Sequence, residues 1–468
     1  MKIGFHGAAR TVTGSKHLVE LPDGRKVLLD CGLFQGMGKD TDRLNRQFGF
    51  EAASIDVMLL SHAHIDHCGL LPRLIAEGFR GKIWCTPATR ALAEVLLQDS
   101  AKIQEDEIRY VNKRKRLQGL PLLQPLYSIE EAQACSVFFE EASYDQWVEV
   151  LPGVQVQFTD AGHIIGSAAV HLRYGAAGKT RQLTFSGDIG RYRDAILRSP
   201  APFLQADVII LESTYGNSLH PLHVTTPDLL LQHIEEICLQ RKGKLVIAAF
   251  SVGRTQELLY FLNQLELENR LPEIPIYLDS PLSVEATEIV KSFPHNFNKT
   301  IQRVMQSDAD PFGFPQLKYV RTVEQSKQLN FENGPMVIIA ASGMADAGRV
   351  KHHVSNAIEN SRNRILFTGY CEPRSLGGRL LGGQKEVSIF GVVHEVHATI
   401  AQIRSMSAHG DYDDLCQWLS SQDPQKVREL FLVHGEYEVQ QDFRDRLIKK
   451  GFGSVRIPEM HSVFGIGS

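Results

Sequence analysis

The stretch SHAHIDHCG (61–69) places three histidines and an aspartate within six positions. It follows the continuous apolar run IDVMLL and precedes LLPRLI, so the segment reads as a strand, a loop and a helix. In an extended His-x-His segment both rings, here those of His62 and His64, point to the same side of the backbone. Asp66 and His67, at the bend into the helix, can then aim at a neighbouring point. This spacing indicates two adjacent metal ions rather than four unrelated surface side chains.

Length and composition indicate an ordinary folded protein with more than one domain. A chain of 468 residues is too long for one typical core, which predicts two domains or one domain with a large insertion. Hydrophobic residues make up 43% and charged residues 22% of the chain, as in globular proteins. A net charge of −4 excludes a global attraction to nucleic acid or to anionic membranes. Any surface that binds phosphate must therefore be a local patch.

The sequence also predicts the cellular compartment of the protein and the redox state of its cysteines. No basic and apolar leader opens the chain, and no apolar run approaches the roughly 20 residues of a membrane span. We expect a soluble, cytoplasmic protein without a membrane partner. The seven cysteines are scattered and include no C-x-x-C pair, which argues against disulfides and thiolate zinc sites. We expect them to be buried as small apolar residues.

The pattern of strands and helices changes along the chain. The first two hundred residues alternate short β-rich runs with turns, and helical patterns occur there only at 69–78 and 87–117. That part should form layered sheets with helices outside. From residue 226, helix-length segments alternate with the short strands KLVIAAF, IPIYLD, PMVIIAAS and NRILFTG, which is typical of a doubly wound parallel sheet.

The β-rich texture of the first part returns near residue 385. We therefore expect one domain that comprises residues 1–214 and 395–468, interrupted by a second domain at 215–394. One basic run, NKRKR (112–116), closes the helix that is predicted from 87. Cations at a helix C-terminus are stabilised by the helix dipole, so this run fits a solvated helix end better than an RNA contact.

Three further candidate ligands each follow a predicted strand. His163 follows VQVQFTD, Asp188 follows QLTFS, and His434 follows ELFLV. Sites often form where such strand ends converge at the rim of a sheet. We assign His62, His64 and His163 to one metal, and Asp66, His67 and His434 to a second. Asp188 bridges both.

This donor set defines an expected cofactor and reaction class. A mixed nitrogen and oxygen shell suits two zinc ions, with manganese or iron as alternatives. Two such ions about 4 Å apart activate a bridging water and hold the oxygens of a displacement at phosphorus. The chemistry predicted is hydrolysis.

The same residues carry a family resemblance. SHAHIDHCG resembles the H-x-H-x-D-H signature of the metallo-β-lactamase superfamily, and His163, Asp188 and His434 stand where the superfamily has its other motifs. The resemblance implies an α/β fold, the αββα sandwich. It also implies that Asp30, in VLLDCG, supports the ligand loop through a metal-binding imidazole. A helix or turn cap is the alternative for Asp30.

The long spacing between two of the candidate ligands makes the resemblance more specific, to one branch of the superfamily. Asp188 and His434 are separated by 246 positions, and the segment that fills them resembles the inserted β-CASP domain of nucleic-acid-processing members. LESTYGN with Glu212 and SMSAHGD with His409 also fit that branch. The resemblance implies that His409 meets the scissile phosphate or protonates the leaving 3′ oxygen, and that Glu212 orients it. With Asp66 and Asp30, these two residues form the predicted catalytic set.

Three stretches of the insertion resemble motifs that recur in β-CASP proteins: AFSVGRTQELL, ASGMADAGR and GYCEPRSLGGRLL. Each is a Gly-containing turn after an apolar strand, where backbone N–H groups and an arginine can meet phosphates. No G-x-x-x-x-G-K-[ST] loop is present. The expected RNA contacts are Arg254, Ser342, Gly343, Arg349, Arg374 and Arg379.

The resemblance implies a zinc-dependent ribonuclease, with its site in a cleft between the two domains. We expect it to hydrolyse single-stranded RNA endonucleolytically through a hydroxide activated by two metals. One alternative is a DNA nuclease of the same branch, although its DNA-repair members typically lack a histidine where His434 stands. A second alternative is an inactive RNA-binding subunit, although such members have lost ligands. A third is a thioesterase, which the long insertion disfavours.

Overall fold

The computed structural model describes residues 1–175, 180–220 and 226–467. The chain divides into two compact units, Met1–Leu219 with His409–Ser468, and His220–Ala408. None of the described helices combines the length and the apolar character that crossing a bilayer requires. All seven cysteines are free thiols, and six of them are buried, as predicted.

In the amino-terminal part of the first unit, the described residues form eleven strands and five α-helices. The strands are β1 Lys2–Phe5, β2 His17–Glu20, β3 Lys26–Leu29, β4 Val57–Leu59, β5 Lys82–Cys85, β6 Phe139–Glu141, β7 Trp147–Leu151, β8 Val154–Asp160, β9 Ala168–Tyr174, β10 Arg181–Phe185 and β11 Val208–Glu212. The helices are α1 Thr41–Asn45, α2 Ile65–Cys68, α3 Leu71–Ala76, α4 Pro87–Leu117 and α5 Ile129–Ala134.

The second unit follows, and the structure describes eight strands and seven α-helices in it. The strands are β12 Lys244–Ala248, β13 Ile276–Leu278, β14 Leu317–Tyr319, β15 Met336–Ala340, β16 Arg364–Phe367, β17 Glu386–Ile389, β18 Val392–Glu395 and β19 Thr399–Gln402. The helices are α6 Thr226–Ile234, which a π-helix Glu235–Gln240 continues, α7 Arg254–Leu267, α8 Pro281–Lys291, α9 Lys299–Val304, α10 Val323–Phe331, α11 Gly348–Ala357 and α12 Leu376–Leu381.

The chain then returns to the first unit and completes two sheets there. The remaining elements are α13 Tyr412–Leu419, β20 Glu429–Val433, α14 Tyr437–Lys449, β21 Val455–Arg456 and β22 Ser462–Gly465. One seven-stranded sheet has the order β22-β1-β2-β3-β4-β5-β6, and the other has the order β21-β20-β11-β10-β9-β8-β7.

The two sheets of the first unit face each other across a shared apolar core. Phe5 of β1 and Phe431 of β20 pack with their ring centroids 4.9 Å apart. On the far side of the second sheet, Trp418 of α13 and Phe443 of α14 pack against residues of β11 and β20. On the first sheet, α4 packs along β6 and α5 packs against α4. These layers form the predicted αββα sandwich.

The second unit is built on a six-stranded sheet with the order β14-β13-β15-β12-β16-β19. Every pairing in it is parallel, as the alternation of helices and short apolar strands predicted. Its core joins strand residues such as Ile338 with Val350 and Val354 of α11. β17 and β18 form a separate antiparallel hairpin.

Several short elements of the structure were not predicted from the sequence. They are the strands β6, β7, β14, β21 and β22 and the helices α1 and α5. All five strands are short and lie at the edges of their sheets, where the apolar pattern is weak. The compact units divide at Leu219/His220 and Ala408/His409, close to the predicted domain boundaries at 214/215 and 394/395, and β19 pairs with β16 of the second unit.

Candidate metal centre

The side chains predicted to bind metal lie where strands of the first unit end. His62 follows β4, His163 follows β8, Asp188 follows β10 and His434 follows β20. β10, β11 and β20 run parallel, and β8 runs in the same direction because both β8 and β10 pair antiparallel with β9. Their carboxyl ends therefore share one edge of the sheet. All seven predicted ligands converge there in two groups around Asp188.

The first group contains His62, His64, His163 and Asp188. The Nδ1 atom of His64 lies 3.2 Å from His62 Nε2 and 3.1 Å from His163 Nε2. Asp188 Oδ2 lies 3.5 Å from Nε2 of both His62 and His163. Three imidazole nitrogens and one carboxylate oxygen thus surround a common point.

The second group contains Asp66, His67 and His434. His434 Nε2 lies 3.3 Å from His67 Nε2 and 3.4 Å from Asp66 Oδ2. Asp188 also faces this group, because its Oδ2 lies 3.3 Å from His67 Nε2. One carboxylate is therefore placed between both groups.

The donor atoms fit a pair of divalent cations. Ligands held about 2.0–2.1 Å from a tetrahedral zinc lie about 3.3 Å from one another, which is close to the nitrogen separations in both groups. Asp188 Oδ1 is buried and accepts no hydrogen bond from the residues that the structure describes. A buried carboxylate oxygen without a donor is costly unless a cation approaches it.

Electrostatics within the cluster follow from burial and from the central carboxylate. Burial lowers the pKa of His62 well below its ordinary value and that of His64 to about 4, so both rings are neutral with lone pairs to offer. Burial also acts to lower the pKa of His67, but the charges of Asp188 and Asp30 outweigh it and raise this pKa well above the ordinary range. Burial acts to raise the pKa of Asp188, yet the surrounding imidazoles hold it well below its usual value.

Asp30 lies outside the second group and forms a hydrogen bond with one of its histidines. Its Oδ2 accepts a hydrogen bond from His67 Nδ1 at 2.6 Å and from Ser61 Oγ at 2.9 Å, and its Oδ1 accepts one from Ser61 N at 2.8 Å. This contact turns His67 Nε2 towards the cluster, and support of the ligand loop stays the predicted role of Asp30. Ser61 Oγ also contacts His62 Nδ1 at 3.0 Å. Ser61 was not predicted, although it opens the stretch that carries the ligands.

Asp30 and His434 both have left-handed backbone conformations, with φ of 56° and 50°. Such angles favour glycine, and other residues adopt them at a cost of about 1–3 kcal/mol. The backbone N–H of His434 donates a hydrogen bond to the carbonyl of Ala8 at 2.7 Å. A carboxylate and an imidazole occupy these positions where glycine would be easier, which indicates a requirement for their side chains.

His409 lies beside the cluster in the contact predicted with Glu212. Its Nδ1 lies 3.1 Å from Glu212 Oε1, and its ring centroid lies 4.6 Å from that of His163. Burial alone would lower the pKa of His409, but the carboxylates of Glu212 and Asp188 raise it to about 9. Glu212 is itself fully buried, and its Oε1 accepts a hydrogen bond from the backbone N–H of Ile189 at 2.7 Å.

Thr214 is a residue of this site that was not predicted. Its Oγ1 donates to Glu212 Oε2 at 2.7 Å and lies 3.1 Å from His434 Nδ1. One hydroxyl thereby connects the residue that binds His409 with a candidate ligand of the second group. Thr214 lies within the quoted stretch LESTYGN, but a threonine carries no chemical signature that would single it out.

The structure corrects the predicted RNA contacts at two arginines. Arg254 is buried, pairs with Glu257 and donates to the carbonyl of Met406, so its guanidinium is used inside the second unit. Arg349 binds Asp279 at 2.6 Å and donates to the backbone carbonyls of residues 320 and 321. Both arginines hold loops of their own unit together, because buried carboxylates and carbonyls lie within reach of their guanidinium groups.

The other predicted RNA contacts lie in two turns of the second unit and, for Arg379, in helix α12. Gly343 is buried, and a Cβ there would lie 2.6 Å from the ring of Phe250. Ser342 and Arg379 are partly buried. Arg374 has a 59% exposed side chain and binds Glu372 at 3.1 Å. These four stay predicted RNA contacts, with Arg374 the most accessible.

Comparison with known proteins shows similarity over nearly the whole chain. Residues 14–226 match the metallo-beta-lactamase superfamily, residues 255–380 match the Beta-Casp domain, and residues 393–458 match the Zn-dependent metallo-hydrolase RNA specificity domain. The last match includes His409 and His434.

Three individual relatives are similar in sequence, and the first two are also similar in length. Ribonuclease TTHA0252 of Thermus thermophilus is 36% identical over 94% of this chain and 94% of its own length. The RNase J-like protein of Methanocaldococcus jannaschii is 29% identical over 92% of each chain. Transcription termination factor FttA of Methanosarcina mazei is 28% identical over 95% of this chain and 68% of its own length.

Proposed function

The chain belongs to the β-CASP branch of the metallo-β-lactamase superfamily, and on that premise we propose that it is a metal-dependent ribonuclease. The proposed reaction is hydrolysis of phosphodiester bonds in single-stranded RNA. One observation carries the proposal: six other ligand-type side chains surround Asp188, with His409 and its partner Glu212 directly beside them. An inactive RNA-binding subunit would not need this complete set.

The chain's side chains provide places for two zinc ions. His62, His64 and His163 would hold one ion, and Asp66, His67 and His434 the other, with Asp188 shared between them. When bound, two such cations supply a strong nucleophile from water at neutral pH and neutralise charge that builds up at the phosphate.

His409 has the position and charge of a general acid. Its Nδ1 is bound by Glu212, so Nε2 is the nitrogen that would meet the substrate. A pKa raised to about 9 keeps this imidazole protonated at neutral pH, although bound cations beside it would lower that value. His409 would donate its proton to the leaving 3′ oxygen or hold the phosphate through the charge. Glu212 and Thr214 position it.

RNA is the proposed substrate rather than DNA for two reasons. Two relatives with similar length are a ribonuclease and an RNase J-like protein, and the carboxy-terminal match is to an RNA specificity domain. In addition, His434 completes the second group, and the resemblance associates a histidine at this position with RNA-processing members.

The test is cleavage of a labelled single-stranded RNA by the purified protein. We expect activity that a chelator abolishes and zinc restores, with about two zinc ions per chain by elemental analysis. Asp188→Ala should lose more than one ion because the carboxylate faces both groups. Activity that is indifferent to chelator, in a protein without transition metal, would contradict the proposal.

We further propose that the cleavage is endonucleolytic. A closed circular single-stranded RNA separates the two modes, because it has no end from which an exonuclease can start. Linearisation of the circle before smaller products form is the expected result. A circle that stays intact while the linear RNA of the same sequence is degraded would show an exonuclease instead.

A further inference from the structure

The distal half of α4 extends beyond the core of the first unit. Its buried residues end at Ala101, while the helix continues to Leu117. The loop that follows returns along the helix, where Leu123 exchanges two hydrogen bonds with the side chain of Asn112. We call the segment 102–126 the α4 arm. Its side chains are largely exposed, with Tyr110 at 69% and Leu117 at 90%.

Four consecutive cations surround the end of this arm: Lys113, Arg114, Lys115 and Arg116. Successive residues of an α-helix are rotated by about 100°, so four in a row point to all sides of the helix. Among the residues that the structure describes, none of the four is within ion-pair distance of a carboxylate. The helix dipole favours positive charge at a helix C-terminus, but it does not explain why four unpaired cations stand on all sides of the helix.

The opposite end of the same helix contacts the loop of the metal centre. The hydroxyl groups of Thr86 and Thr89 donate to the carbonyl of Gly166 at 2.6 and 2.8 Å. Gly166 lies three positions after His163. At 1.5 Å per residue, the cations lie about 40 Å along the helix from this contact. A stacked strand that rises about 3.4 Å per nucleotide covers that distance with about twelve nucleotides.

We propose that the α4 arm is a second RNA-binding site, which holds the substrate backbone about twelve nucleotides away from the bond that is cut. The proposal rests on the ribonuclease function proposed above and deepens it. It makes substrate length a determinant of affinity: an RNA too short to reach from the metal centre to the arm lacks the contact, and a longer RNA gains it.

Charge favours RNA over a protein as the occupant of the arm. Buried cations are costly unless opposite charges meet them, so a protein partner would need about four carboxylates in matching positions. An RNA strand carries one phosphate per nucleotide along its entire length. The protein as a whole has a net charge of −4, so this concentration of positive charge is local.

Tyr110 adds a surface on which a base can stack. It lies three and four positions before Lys113 and Arg114, which places the three side chains on the same face of the helix. Aromatic rings beside a cationic track are a common way to bind single-stranded nucleic acid without sequence preference. Tyr110 and the cations together would bind bases and backbone.

The experiment compares the intact protein with two quadruple variants. In the arm variant the four cations become glutamine, which has a similar helix propensity: Lys113→Gln, Arg114→Gln, Lys115→Gln and Arg116→Gln. In the control variant four other exposed lysines of the first unit are replaced: Lys2→Gln, Lys39→Gln, Lys82→Gln and Lys449→Gln. Both variants change the net charge equally. The substrates are uridine oligomers of about 6 and about 24 nucleotides.

Binding is measured by fluorescence anisotropy in chelator, and kcat/KM is measured with zinc. For the long RNA, we expect the arm variant to raise the Kd about tenfold and to reduce the salt slope by about 3, since each lost phosphate contact on a single strand contributes about 0.7. The short RNA should be bound and cut as well as by the unaltered protein. Tyr110→Ala should weaken binding of the long RNA while leaving the salt slope unchanged.

Other results would overturn the proposal. If the arm and control variants bind the long RNA equally, the cations act only through net charge and the arm is not an RNA site. If the arm variant binds RNA normally but changes the sedimentation of the protein, the arm is a protein interface instead. If neither RNA is cut while long-RNA affinity still depends on the arm, the ribonuclease function fails and the second RNA site stands.

Discussion

Asp30 Oδ2 accepts a hydrogen bond from His67 Nδ1 at 2.6 Å, and both side chains are buried. This carboxylate fixes the ring so that Nε2 faces Asp188 and His434. It therefore sets the orientation of a ligand from outside the ligand set.

Asp30→Asn should weaken metal binding at the second group by about 10–100-fold, because the amide keeps the shape of the side chain and loses the charge. The measurement is a zinc competition titration with a chromophoric chelator. Asp56→Asn is the matched control, since Asp56 also accepts a backbone N–H on the same sheet but is exposed and remote from the histidines. Equal zinc affinity in the two variants would contradict the role of Asp30.

Thr214 should act as a positioning residue through its hydroxyl. Thr214→Val keeps the shape and removes the contacts with Glu212 and His434. We expect the valine variant to lose about 10-fold in kcat and to bind zinc more weakly, on the scale of other residues that orient ligands. Thr214→Ser restores the hydroxyl and should recover both quantities. A serine variant as impaired as the valine variant would mean that packing, not hydrogen bonding, matters here.

His409→Ala should separate catalysis from metal binding. The imidazole lies beside the ligand groups and is bound by Glu212, so its removal should leave both zinc ions and the fold in place. The rate of RNA cleavage should fall by about 10²-fold or more, the usual scale for a general acid or a charge that stabilises the transition state. Elemental analysis and circular dichroism accompany the kinetics. Loss of zinc in the variant would make His409 a ligand.

Asp160 gives a pH dependence of stability outside the metal cluster. Burial raises its pKa from 3.8 to about 7, with Gly162 N–H and Arg198 nearby. The folded state therefore holds a proton that the unfolded state releases between about pH 4 and 7, and this group's contribution to stability is lost as the pH rises through that window. Asp160→Asn lacks the charge. Its stability relative to the unaltered protein should increase by about 3 kcal/mol from pH 5 to pH 8 in urea denaturation. An unchanged difference would contradict the assignment.

The fold and the cluster of candidate ligands are predictable here because they depend on local signals. His62, His163, Asp188 and His434 each follow a strand, and the four candidate ligands from His62 to His67 stand within six positions. Continuous apolar runs likewise predicted central strands of both units, such as β4 and β15. The edge strands β6 and β7 carry less apolar character and were missed.

Partners that depend on distant parts of the chain were not predictable. Arg254 and Arg349 look alike in sequence, as arginines near glycine-rich turns, yet Arg254 donates to the carbonyl of Met406, 152 positions later, and Arg349 binds Asp279, 70 positions earlier. Thr214 acquires its role only because His434, 220 positions later, folds against it. Residue type and spacing do not contain that information.

The most direct test of the proposed function compares cleavage rates on three substrates with one sequence: single-stranded RNA, the identical single-stranded DNA, and the RNA annealed to its complement. We expect the single-stranded RNA to be cut fastest, with at least a tenfold difference from the DNA and complete loss of cutting in chelator. Equal or faster cutting of the DNA would contradict the assignment as a ribonuclease. Faster cutting of the duplex would contradict the preference for single strands.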